Sequence, residues 1–182
     1  HNSGNNNGTA IIPVPDDVER ETQEHYQLGS PSCFWEYKDA RGKTLFYVCR
    51  FIDKDGNKED RPLSYREYKD SFRCWAWMAL DAPRPLYGLD SLAKRPDAPV
   101  IVCEGEKAAD AAMKRFPDHV AVTSPNGAGS PHKADWSSLA GRSVIIWPDH
   151  DDEGATYARR TADLLKKANA ASVSIVNVPD DF

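Results

Sequence analysis

Two acidic clusters each follow a short apolar run, and their first carboxylates, Glu104 and Asp149, are 45 residues apart. The first cluster is Glu104-Gly105-Glu106-Lys107, directly after Val100-Ile101-Val102-Cys103. The second is Pro148-Asp149-His150-Asp151-Asp152-Glu153-Gly154, after Ser143-Val144-Ile145-Ile146-Trp147. Carboxylates brought together repel one another and resist desolvation unless a hard divalent cation neutralises them. An Asp-x-Asp on a tight turn aims two carboxylates at one point, so Asp149 and Asp151 are the sharpest metal candidates. The chemistry that suits such a set is metal-assisted phosphoryl transfer. Glu106, Asp152 and Glu153 have a plainer reading, as acids in the first turn of a helix, where the dipole favours them.

The elements that must position these residues are legible from periodicity. Near-continuous β-branched runs read as parallel strands buried on both faces. In open sheets of that kind, ligands bind beyond the carboxyl ends of the strands. Residues 98–178 alternate strand and helix. A strand at 100–103 precedes a helix carrying Ala108, Ala109, Ala112 and Phe116 on one side. Strands follow at 119–123, 143–147 and 172–178, with a glycine loop at 124–130, a short helix at 134–140 and a helix at 155–168. In the last of these, Ala158, Ala162, Leu165 and Ala168 face inward. This order implies an α/β fold with a mostly parallel sheet flanked by helices.

The N-terminal part reads differently. Residues 1–9 are polar and low in complexity, as in a disordered lead, and residues 11–31 read as a tether punctuated by Pro13, Pro15 and Pro31. The chain opens on His1, as a processed or excised piece would. Residues 33–65 carry strand patterns broken by two turns, around Asp39-Ala40-Arg41-Gly42 and Asp53-Lys54-Asp55-Gly56-Asn57. Two successive hairpins make a small antiparallel unit. Trp75 and Trp77 read as packing residues of that unit. The expected division is a tether over 1–31, a small β-rich (α+β) subdomain over 32–92 and the α/β domain over 93–182.

Bulk properties narrow the classes. The 182 residues carry 23 Lys and Arg against 28 Asp and Glu, a formal charge of −5, which disfavours broad electrostatic nucleic-acid binding. Residues 36–73, however, hold ten basic against eight acidic side chains. The four cysteines, at 33, 49, 74 and 103, have none of the close spacing that a zinc site needs, and read as reduced thiols of a cytoplasmic protein. No apolar stretch is long enough to cross a membrane, and no signal peptide opens the sequence.

Three signals in order carry a family resemblance: Leu86-Tyr87-Gly88-Leu89, Glu104-Gly105 and Asp149-His150-Asp151. On these the chain resembles the TOPRIM domain shared by topoisomerases and primases, and most closely that of DnaG-type bacterial, phage or plasmid primases. The resemblance covers about residues 84–182, and residues 33–83 resemble, more loosely, the small subdomain before TOPRIM. It implies a TOPRIM Rossmann-like sheet and a DNA primase core, a nucleotidyltransferase making RNA primers on single-stranded DNA from ribonucleoside triphosphates. It implies Mg²⁺ or Mn²⁺, two ions held by Asp149 and Asp151 with Glu104 and Asp180, and Glu104 as general base or ligand. Arg50, Arg61, Arg84, Lys107 and Asn126 are then candidates for template or nucleotide contacts. A replicative helicase, in the same chain or separate, is the expected partner. Many family members carry an Asp four residues after the first Glu, where this chain has Ala108. Two rivals share the pattern: a TOPRIM metal-dependent nuclease, and a non-catalytic module that binds nucleic acid or a replication partner.

Overall fold

The structure, a computed structural model, describes residues 7–19 and 24–177. The chain divides into two compact units, His1–Asp81 and Ala82–Phe182.

The first unit is an antiparallel sheet. Its strands are β1 (Thr9–Ala10), β2 (Cys33–Lys38), β3 (Thr44–Ile52), β4 (Lys58–Glu67) and β5 (Arg73–Ala76). They pair in the order β1-β4-β3-β2, with β5 also on β4. Both hairpins form where the turn residues ask for them. Asp39 Oδ1 accepts the amides of Arg41 and Lys43, each at 2.8 Å. Asp53 Oδ1 accepts those of Asp55 and Asn57 at 2.8 and 2.9 Å. These Asx turns tie the chain back on itself within four residues. The aromatic strands then pack Tyr47, Cys49, Phe51, Leu63 and Trp75 into one core.

The tether expected over residues 11–31 is corrected by that core. Val14 is buried in it, and its amide donates to Thr44 O at 2.7 Å. The Ile11 amide donates to Tyr65 O at 2.9 Å, and Trp75 Nε1 donates to Glu19 O at 3.0 Å. Thr9, read as the end of a disordered lead, forms with Ala10 an edge strand on β4. A small sheet cannot bury its own face, so the flanking segment supplies apolar cover. The anchor is Arg66, only 2% exposed. Its Nε donates to Asn7 O at 2.7 Å and its Nη2 to Gly8 O at 2.9 Å. Nη1 reaches Ser64 Oγ and Ala79 O at 3.3 and 3.4 Å.

The second unit begins earlier than the expected boundary at residue 93. Leu86 and Leu92 are buried in its core, so residues 82–92 fold with the parallel sheet. Its elements are α1 (Leu89–Lys94), β6 (Val100–Cys103), α2 (Glu106–Arg115), β7 (Val120–Val122), β8 (Ser143–Trp147), α3 (Asp152–Lys167) and β9 (Ser172–Ile175). The four strands are parallel, in the order β7-β6-β8-β9. Alternate residues serve opposite faces. Val100, Val102, Val144 and Ile146 pack with Tyr157, Ala158, Ala162 and Leu165 of α3. Ile101, Cys103 and Ala121 pack with Ala109 and Ala112 of α2.

Three local expectations change. Ala108 is exposed, because the inward stripe of α2 runs through Ala109 and Ala112, three residues apart. Residues 134–140 form no α-helix. Two 3-10 turns, Pro131–Lys133 and Ser137–Leu139, flank an extended Ala134. Seven residues make too short a run to offset helix nucleation, and Asp135 Oδ1 takes the Ser137 amide at 3.0 Å instead. The last strand ends at Ile175, and Val178 lies outside the described residues.

Candidate functional site

Chain order and strand order disagree at one place in the parallel sheet. From β6 the chain crosses through α2 to β7 on one side, then returns past β6 to β8 on the other. The carboxyl ends of β6 and β8 therefore border the topological switch point, where α/β sheets form their ligand crevice. Cys103 is in register with Trp147 there. Glu104 follows the first strand directly and Asp149 follows the second after Pro148, so the two acidic clusters meet.

The contact is direct. Glu104 Oε2 accepts the Asp149 amide at 3.3 Å. Burial raises the Glu104 carboxyl above its ordinary value; the Asp149 amide opposes this, and the charges of Asp149, Asp151 and Glu153 add to it. The Asp149 charge is also felt behind the site. The Cys103 thiol is pushed up to about 12, by burial first and by Asp149 second, so it stays neutral. Asp151 caps α3, its Oδ1 accepting the Gly154 amide at 2.7 Å. Asp152 and Glu153 occupy the first turn, as the dipole favours.

Gly154 lies against this turn. A Cβ there would sit 2.2 Å from Asp149 O, closer than any real contact. The space beside Gly154 is thus filled by the Asp149 backbone, whereas a Cβ on Gly105 would meet nothing. We expect Gly154→Ala to push the Asp149 turn off α3, with Mn²⁺ affinity falling at least about tenfold. Calorimetry checks this; an unchanged affinity would detach the turn's position from metal binding.

The donor set is oxygen-only, with Asp149 and Asp151 exposed and Glu104 half-buried, its carboxyl raised by burial and then by the neighbouring acids. That chemistry fits a hard divalent ion. Among the described residues, however, no three His, Cys, Asp or Glu side chains are grouped so as to hold an ion. Glu104 and Asp151 instead each accept a backbone amide. Asp180 lies outside the described residues.

The basic candidates are dispersed. Arg50 donates Nε and Nη2 to Asp60 at 2.8 and 2.7 Å and stands over the Trp35 ring at 4.8 Å. Those contacts account for Arg50 within the first sheet. Arg61 pairs with Glu59. Half-buried Arg84 exchanges backbone bonds with Lys133 and Asp135, each at 2.7 Å. Lys107 is exposed on the first turn of α2, directly after the Glu104 cluster. Asn126 is exposed with φ 71°, and Gly127 next to it approaches Glu104 O.

No protein-family profile matches the chain, and no curated protein matches its sequence. Its likeness is structural. One solved neighbour is the Aquifex aeolicus primase, zinc-binding and RNA polymerase domains, with a TM-score of 0.57 and 19% identity over 96% of this chain and 39% of that one. Another is the primase fragment of the bacteriophage T7 primase-helicase protein, with a TM-score of 0.50 and 18% identity over 80% of this chain and 52% of that one. The chain has the fold of a primase core. It spans about two fifths of the first neighbour and half of the second.

Within this primase fold, the Leu86-Tyr87-Gly88-Leu89 segment is an entry clamp. The Tyr87 amide donates to Thr123 O at 2.9 Å, and its hydroxyl donates to Asp110 Oδ1 at 2.8 Å. Gly88, at φ 89°, lies where a Cβ would be 2.7 Å from Ala121 O. One cation near the acids escaped sequence reasoning. Arg159 lines a cavity of about 320 Å³ together with Asp149 and Asp151. Arg159 lies about two turns along α3 from its cap Asp151, a relation visible only once Asp151 is known to cap the helix.

Proposed function

We propose that the chain is the catalytic core of a DNA primase that joins ribonucleotides on a single-stranded DNA template. What supports this is the contact of Glu104 with the Asp149 backbone, within reach of the charges of Asp149 and Asp151, at the switch point of a sheet with the primase fold. Asp149 and Asp151, with Asp180, would hold two Mg²⁺ or Mn²⁺ ions, in a TOPRIM Rossmann-like arrangement. When bound, such ions lower the pKa of an attacking 3′-hydroxyl and steady a triphosphate leaving group. Glu104, raised by its surroundings, is suited to take up a proton there or to share a metal. Arg159 and Lys107 would add positive charge toward the phosphates, Asn126 a polar contact, and Arg84 one toward the template. Arg61 is a weaker template candidate because Glu59 already pairs with it. A replicative helicase as partner, a bacterial, phage or plasmid origin, and a cytoplasmic site belong to the same reading. Among the described residues no helix is long and apolar enough to cross a membrane.

Labelled ribonucleoside triphosphates supplied with single-stranded DNA test the reading, beside cleavage of the same labelled DNA. We expect incorporation that needs Mg²⁺ or Mn²⁺; cleavage without incorporation would replace the primase by the nuclease. The cap formed by Asp151 favours a second reading, a non-catalytic nucleic-acid-binding module, which absence of any Mn²⁺ binding heat would support.

Glu104 also sets a pH dependence. Its carboxyl is raised in the fold above the ordinary 4.5, so the unfolded chain releases this proton first. With divalent ions chelated, its contribution to stability is present at low pH. It is lost as pH rises from 4.5 through the raised value. Urea unfolding at a series of pH values should show this decline, and Glu104→Gln should remove it. A decline of equal size in the variant would assign it to other groups.

A further inference from the structure

A second cavity opens on the other side of the Asp149 turn, with a volume of about 690 Å³. Its walls are largely apolar, with Ala108 and Ala111 of α2, Phe116 and Trp147; Arg115 also lines it, and Asp149 and His150 line it at the turn after β8. Trp147 closes β8 and is 40% exposed, though strands of a parallel sheet are usually covered on both faces. Its ring lies 5.4 Å from that of Phe116 at 39°. Arg115 stands 5.8 Å from the Phe116 ring. Volume and a largely apolar lining with a few polar groups are the marks of a small-molecule site.

We propose that this cavity receives the base of a ribonucleoside triphosphate, stacked on Trp147, while its phosphates lie toward Asp149. The inference rests on the proposed function, because it takes the carboxylate edge as the place of the phosphates. Continuity selects the occupant: one wall of the cavity is the residue on which the phosphate chemistry turns, and the apolar floor starts where that residue ends. A planar base suits an open indole face with a second ring beside it. Every base has such a face, so the contact tolerates all four and leaves selection to template pairing. The two small alanines of α2 keep the space open. Ala108 thus has a use where the resemblance led us to expect an acid: a longer side chain at that position would enter the cavity.

Calorimetry with Mn²⁺ tests this with two probes, ATP and inorganic tripolyphosphate, on the full chain. Trp147→Ala should weaken ATP at least about fivefold, the lower end for a lost base–aromatic stack. Trp147→Phe should restore most of it. Ala108→Trp, on an exposed helix position, should block ATP from a different wall. Tripolyphosphate should bind all of these alike. Equal ATP affinity throughout, with tripolyphosphate still bound, overturns the base site and leaves the carboxylate reading standing; the cavity would then cover a protein segment or a second copy. ATP binding that depends on Trp147 but not on Mn²⁺ supports the base site and overturns the carboxylate reading. Binding of neither probe overturns both.

Discussion

Replacing Glu104 by Gln is expected to lower ribonucleotide incorporation at least about a hundredfold, measured on a length of the protein that incorporates. Glutamine keeps the size of the side chain and an oxygen that can still accept the Asp149 amide. What it loses is charge and proton affinity, which Glu104 holds in excess because burial and three neighbouring acids raise its carboxyl. Template binding should change little, since Glu104 is only half-buried at the edge of the crevice and carries no positive charge. The same substitution should stabilise the chelated protein at neutral pH, because it removes one of several repelling charges. Synthesis near the wild-type rate would sink the catalytic assignment and bring the non-catalytic module forward.

The largest stability effect is expected in the other unit, at Arg66. Arg66→Ala leaves the carbonyls of Asn7, Gly8 and Ala79 without their buried donor and detaches β1 from β4. Hydrogen bonds to a charged group contribute about 1.5–3 kcal/mol each, so a loss of about 3 kcal/mol is a conservative expectation. In a unit of this size that lowers Tm by roughly 10–20 °C. Arg66→Lys should not rescue it, because an ammonium lacks the planar fork that reaches several carbonyls at once. Thermal unfolding with hydrogen exchange at Ala10 and Ile11 reads both effects. An unchanged melt would show that the N-terminal strand is held by its pairing with β4 and its apolar contacts without Arg66.

The sequence by itself determined the parallel strands and the acids at their ends. Short β-branched runs have few other uses, and Glu104 and Asp149 lie immediately beyond two of them, so local pattern sufficed. The hairpins were equally legible, because Asp39 and Asp53 close their turns with amides at most four residues away. Arg50 could have been paired from the same signal, since the turn at Asp53–Asn57 sets the hairpin register that puts it opposite Asp60. Which strands become neighbours is a long-range choice. Only the folded sheet sets Cys103 beside Trp147 and so turns two separate acidic clusters into one site. The same holds for the stretch read as a tether. Its polar composition suggested disorder, yet burial of Val14 and the bonds from Arg66 outweigh composition once β4 is there to receive them. Side-chain direction on helices was the remaining unknown: Asp151 turned to cap α3, Arg159 lined the cavity beside the acids and Ala108 faced outward. Each depends on where a helix begins and which stripe it buries, and those are set by packing against a sheet assembled from distant segments.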